Sequence, residues 1–129
     1  MANHYEHDEQ SALFSWAKLH EAIYPELKWM FAVPNSARRS PRQGAWMKAE
    51  GLKSGVWDIF LPLPIFNDHK IRRGARGGLF IEMKSGKNKL TPQQVQFRDN
   101  LEKYYDFVVC YTWVEARAAI IRYIDEERF

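Results

Sequence analysis

The sequence predicts an α/β domain, helices sandwiching a small mixed sheet, in the order α-β-α-β-β-α-β-α. Three features carry that expectation. Short apolar runs bounded by proline and glycine alternate with longer segments of helical period. Two S/T-x-x-E/Q capping boxes, Thr91 to Gln94 and Thr112 to Glu115, open helices directly after strand-like or turn-like stretches. The 129 residues, 46% hydrophobic and 27% charged, suit one domain with a real core, so residues 1–129 read as a single unit.

Glu6 to Tyr24 reads as a helix, with Ala12, Trp16, Leu19 and Ile23 at helical spacing and Pro25 as its stop. Trp29 to Val33 is a short apolar run closed by Pro34-Asn35 and reads as a strand. Ser40-Pro41 is an N-cap followed by proline at the first helical position; that helix carries Trp46, Met47 and Ala49 and stops at Gly51. Gly55 to Leu61 reads as a strand whose far end leaves the sheet or lies at an edge, because Pro62 and Pro64 cannot donate ladder hydrogen bonds. Ile65 to Gly77 is a long basic loop, and Leu79 to Lys84 is the next strand. Pro92 begins a helix through Val95, Phe97, Leu101 and Tyr104; Phe107 to Tyr111 is a short buried strand; a last helix carries Ala116, Ala119, Ile120, Tyr123 and Ile124.

Charge is unevenly spread. Residues 1–30 sum to −3, residues 31–98 to +9 and residues 99–129 to −3, giving the net +3. A basic middle between acidic ends suits a polyanion. No apolar stretch approaches the roughly 20 residues that span a bilayer, so a membrane role is not expected. Met1 to Asp8 is polar and acidic and does not read as a signal peptide, which points to the cytoplasm. Cys110 alone supports neither an internal disulfide nor a cysteine-based zinc site, and inside an apolar strand it reads as inert. His4, His7, His20 and His69 lack H-x-x-x-H spacing, and Gly74, Gly77 and Gly78 lack the lysine-serine ending of a phosphate loop.

The strands 56–62 and 79–85, paired antiparallel around the loop 64–77, match residues whose numbers sum to about 140. Asp58 then falls opposite or diagonal to Glu82, and strand alternation puts Lys84 on the same face as Glu82, with Ile81 and Met83 on the other. Two close carboxylates repel, and a divalent cation compensates them; carboxylate, carbonyl and water ligands suit Mg²⁺ or Mn²⁺. Glu-x-Lys on a strand is by itself common and usually means a cross-strand ion pair.

Five blocks in order add to it: Glu6-x-x-x-Gln10; Val33-Pro34-Asn35; Gly51-Leu52-Lys53-Ser54-Gly55-Val56-Trp57-Asp58; Leu79-Phe80-Ile81-Glu82-Met83-Lys84; and Thr91-x-x-Gln94. Together they resemble the VRR-NUC (virus-type replication-repair nuclease) family of the PD-(D/E)XK nucleases, over nearly the whole chain. The resemblance implies a restriction-endonuclease-like core and a Mg²⁺- or Mn²⁺-dependent endonuclease in a bacterial or phage-infected cell. Its substrate would be duplex or branched DNA such as four-way junctions or flaps, addressed by a homodimer. It implies Asp58, Glu82 and the Met83 backbone carbonyl as metal ligands, Lys84 as the catalytic lysine, and Gln94 touching the site from the following helix. Glu6 would be an outer or second-metal carboxylate, with Glu9, one turn on, as its rival; Gly51 and Gly55 would shape the turn that delivers Asp58. Two positions depart from the family pattern: Trp57 stands where proline is usual, and Ser36-Ala37 where glycines often follow Pro-Asn.

The basic side chains expected on DNA are Arg38, Arg39, Arg42, Lys53, Arg72, Arg73, Arg76, Lys87 and Lys89, in segments that flank the acidic pair. Gln94 serves the capping box in any case. Trp16, Trp46, Trp113 and most tyrosines read as core rather than base-stacking platforms. The competing functions are a non-catalytic DNA-binding module of the same fold and a metal-dependent RNase.

Overall fold

The computed structural model describes residues 4–34, 41–66 and 75–128. Helix α1 (His4–Leu19) leads through a 3₁₀ helix (Pro25–Trp29) to β1 (Phe31–Ala32). Then come α2 (Pro41–Ala49), β2 (Ile59–Leu61), β3 (Leu79–Met83), α3 (Pro92–Leu101), β4 (Asp106–Cys110) and α4 (Trp113–Arg128). The four strands form one sheet in the order β1-β2-β3-β4. The first two pairings are antiparallel; β3 and β4 are parallel, with α3 as the crossover between them.

This is the expected order, with shifted edges. The first helix ends at Leu19, five residues before Tyr24: the His20 N–H divides between the Trp16 and Ala17 carbonyls, and Ile23 and Tyr24 both donate to the His20 carbonyl. Pro25 therefore opens a 3₁₀ turn, which displaces most of the strand expected at 29–33. Ladder pairing in β2 starts only at Ile59, because residues 54–55 form a turn. The long loop after β2 is pinched by a bridge between Ile65 and Arg76. As an edge strand, β4 is half-buried along most of its length rather than buried.

The first capping box forms in full and the second only in part. Thr91 Oγ1 accepts from the Gln94 N–H at 3.2 Å, and Gln94 Oε1 accepts from the Thr91 N–H at 2.9 Å. At α4, Thr112 Oγ1 accepts from the Glu115 N–H, while the Glu115 carboxylate reaches one residue further back, to the Tyr111 N–H.

Strand β3 is central and buried on both faces. Leu79, Ile81 and Met83 join Leu13, Trp16 and Ala17 of α1 and Ala116, Ile120, Tyr123 and Ile124 of α4 in one apolar cluster. By alternation Phe80 and Glu82 face the other way. There Phe80 packs against Phe60, Phe97 of α3, Tyr105 and Phe107. One face of the sheet thus closes with aliphatic packing under α1 and α4. The other closes with aromatic rings under α3, and Glu82 stands next to that aromatic layer. Trp16 is core as expected, and Trp113 packs against it. Trp46 is not: it is 60% exposed. No helix among the described residues is long and apolar enough to cross a membrane.

Candidate active site

The site begins with register. Ile59 pairs with Ile81, Phe60 with Phe80 and Leu61 with Leu79, so paired numbers sum to 140 and the next pair outward is Asp58 with Glu82. The two residues hold each other across the end of the ladder. The Asp58 N–H donates to Glu82 Oε1 at 3.1 Å, and the Met83 N–H donates to Asp58 Oδ2 at 3.2 Å. Lys84 lies on the same face as Glu82, its Nζ 3.4 Å from Glu82 Oε2. The Lys84 N–H donates to the Cys110 carbonyl, which ties the lysine's backbone to β4.

Glycine makes this delivery possible. Gly51 and Gly55 have φ of +109° and +89°, backbone that other residues resist. At Gly55 a Cβ would also meet the Gln93 carbonyl oxygen at 2.7 Å, so the turn before Asp58 lies directly on the first turn of α3. Trp57 locks the same junction: it is 1% exposed, its indole N–H donates to the Gln94 carbonyl at 3.1 Å, and its ring meets Phe107 edge-on.

Gln94 does two jobs. Its Oε1 completes the cap of α3, and its Nε2 donates to Glu82 Oε2 at 2.8 Å. Both ends of the amide are engaged, which fixes the direction from which α3 approaches the carboxylate.

Electrostatics set this cluster apart from an ordinary ion pair. Glu82 is 3% exposed. Its carboxyl is pushed up to about 7, first by burial and then by the Asp58 charge, against the lowering effects of Lys84 and Gln94. Asp58 is also raised, chiefly by burial and also by the Glu6 charge, with the Met83 N–H and Lys84 opposing. Among the described residues, a buried Glu82 and a half-buried Asp58 face a single ammonium, Lys84.

Glu6 approaches from α1. Its Oε2 accepts from Ser85 Oγ at 2.9 Å and from Asn88 Nδ2 at 3.4 Å. Glu9 instead accepts from the Trp113 N–H at the start of α4, where a carboxylate suits the helix dipole. Of the two rival glutamates, Glu6 is therefore the one aimed at the Asp58 side. Sequence reasoning missed Ser85 and Asn88; the signal was there, since both sit in the turn directly after Lys84.

Arg42, Lys53, Lys87 and Lys89 are exposed. Arg38, Arg39, Arg72 and Arg73 lie outside the described residues. Arg76 does not fit its expected place on DNA. Its Nε donates to Asp106 Oδ1 at 2.9 Å, and its other nitrogens donate to the carbonyls of Glu102, Lys103 and Tyr105. It closes the C-terminal end of α3 and sits at the start of β3, the opposite end from Lys84. Cys110 is buried, and burial pushes its thiol up to about 12, in keeping with an inert role.

Against solved structures, the chain superposes on one described as a VRR_NUC domain protein with a TM-score of 0.68, covering 97% of this chain and 92% of that one. The fold is that of a VRR-NUC domain. Sequence identity over the match is 24%, so the likeness is one of architecture, as the order of motif blocks implied. No family model and no curated protein matches the sequence.

Proposed function

We propose that the protein is a divalent-metal-dependent nuclease that hydrolyses DNA phosphodiester bonds. The observation that carries this reading is the convergence of Asp58, Glu82 and Lys84 at one end of the β2–β3 ladder, inside a VRR-NUC fold.

The donor set fits Mg²⁺ or Mn²⁺. Among the described residues no three His, Cys, Asp or Glu side chains gather closely enough to hold an ion by themselves. The available donors are two carboxylates and the Met83 carbonyl, which by strand geometry points to the same edge as the Met83 N–H that reaches Asp58. Mg²⁺ is commonly held this way, with water and substrate phosphate filling its remaining positions. Such an ion would offset the burial and the Asp58 charge that raise Glu82. When bound, a divalent cation acts as a Lewis acid that acidifies water and offsets charge developing on the phosphate.

The chain's own residues do the rest. Asp58 and Glu82 define the ligand edge. Gln94, held at both ends of its amide, keeps Glu82 from rotating away. Lys84 presents an ammonium at the rim, where it orients the attacking water and donates to a phosphate oxygen as negative charge builds. Exposed Arg42, Lys53, Lys87 and Lys89 supply sequence-independent phosphate contacts. Duplex and branched DNA are the proposed substrates, and a homodimer would bring one site to each strand.

The test uses a labelled four-way junction, a flap, the matching duplex and an RNA duplex in Mg²⁺, Mn²⁺ or EDTA, with Glu82→Ala and Lys84→Ala beside the wild type. Metal-dependent cleavage of DNA, lost in both variants, supports the reading. Uncut DNA with a retained gel shift identifies a binding module instead, and cleavage of RNA alone identifies an RNase.

A further inference from the structure

We infer that Trp46 and Arg42 of α2 form a stacking platform for an unpaired nucleobase of the DNA; the inference rests on the nuclease reading above. Residues 42–49 of α2 include none that is buried. Trp46 is 60% exposed, and the Arg42 guanidinium, one turn away on the same face, lies 5.3 Å from the centre of its indole. A helix of nine residues gains little stability in isolation. It would ordinarily use a tryptophan as its anchor, since the ring buries on the order of 150–250 Å². Here most of that surface faces water, with a planar cation over the ring. An aromatic face beside a guanidinium is the arrangement on which bases stack.

Charge selects the occupant. The helix carries Arg42 and Lys48, and Glu50 and Lys53 follow in its exit, so residues 41–53 are net positive. That surrounding suits a phosphate backbone. Trp29 is as exposed, under Lys28, but it sits in the acidic N-terminal part of the chain with Glu21 and Glu26 near in sequence, which makes it the internal control. Position also fits. Residues 50–57 connect the end of α2 to Asp58, and eight residues reach at most about 28 Å, so the same DNA can span both. In an intact duplex both faces of a base are stacked; an unpaired base offers one. The platform therefore favours DNA carrying a single-stranded segment over blunt duplex.

The experiment measures binding by fluorescence anisotropy in EDTA, so that no cleavage intervenes. The probes are a labelled blunt duplex and the same duplex with a single-stranded tail; the proteins are wild type, Trp46→Ala, Trp46→Phe and Trp29→Ala. Trp46→Ala should weaken binding to the tailed DNA about tenfold or more and to the blunt duplex less than about twofold, with an unchanged salt slope. Trp46→Phe should stay within about threefold of wild type, and Trp29→Ala should match it. Equal losses on both DNAs, no loss at all, or a change of oligomeric state in Trp46→Ala by light scattering would overturn the inference, the last by showing that a second copy covers the ring. A Trp46-dependent preference in a protein that never cuts DNA in Mn²⁺ would keep the platform and discard the nuclease. Metal-dependent cutting with Trp46 indifferent would do the reverse.

Discussion

Asp58→Asn probes the electrostatics of the site without DNA or metal. In the wild type Glu82 is raised from 4.5 to about 7. Between those values the native protein holds a proton that the unfolded chain has released, so stability falls as pH rises. The contribution is whole below pH 4.5 and is lost as pH passes through about 7. At about 1.4 kcal/mol per pH unit, that interval amounts to roughly 3 kcal/mol as an upper figure. Burial is the larger cause and the Asp58 charge the second. Asparagine removes the charge, retains an oxygen for the Met83 N–H, and turns an amide donor toward the Glu82 carboxylate.

Removing the Asp58 charge should stabilise the metal-free protein by about 1–2 kcal/mol at pH 8 and by less than about 0.5 kcal/mol at pH 4.5. Urea denaturation in EDTA at several pH values measures both. Mn²⁺ should raise the melting temperature of the wild type, and the same substitution should abolish that rise. A variant less stable than wild type at pH 8, or a difference between the two that does not change with pH, would refute the idea that two uncompensated acids face each other here.

Gln94→Ala and Thr91→Ala should each cost about 1–2 kcal/mol through the helix cap. Only Gln94→Ala removes a donor from Glu82, so only it should extend the pH-dependent loss of stability to higher pH, read from melting curves. Arg76→Ala should destabilise by about 2–4 kcal/mol by removing its ion pair with Asp106 and its bonds to the end of α3, with under a twofold change in DNA affinity. The double variant Lys87→Ala, Lys89→Ala should leave stability alone and lower the salt slope of DNA binding by about 2. Gly55→Ala should cost about 2–4 kcal/mol in chemical denaturation, since it meets both a left-handed φ and the Gln93 carbonyl; Gly51→Ala, with open space around it, should cost about 1 kcal/mol.

The Asp58–Glu82 pairing was readable from sequence because it needs only local information: two short strands, prolines that stop one of them, and a period of two. Gln94 was readable because a capping box is a four-residue pattern. Other features depended on distant partners. Ile23 continues the apolar period of α1, yet the helix stops at Leu19 and Ile23 faces solvent. Arg76 looks like any loop arginine until β4 and the end of α3 are brought beside it. Trp46 follows the rule that aromatics at helical spacing face a core, but α2 has no apolar stripe long enough to dock. Glu6 and Glu9 stand one turn apart, and only the position of α4 decides which one turns away from the site.

Trp57 shows how this chain meets a demand that the resemblance would assign to proline. An aspartate at the end of a ladder serves a metal only if its backbone is fixed. Proline does this locally, by restricting φ. Tryptophan does it through tertiary structure: the ring is buried against Phe107 of β4, and its N–H is spent on the carbonyl of Gln94. The side chain of that same Gln94 holds Glu82, and the backbone of Glu82's neighbour Met83 holds Asp58. The contacts run in a loop from Trp57 through Gln94, Glu82 and Met83 back to Asp58. Displacing either acid therefore means moving α3 against the sheet. Such a loop sustains two facing carboxylates that an isolated hairpin would let swing apart, and it lets their mutual repulsion persist in the folded state, where a cation can relieve it.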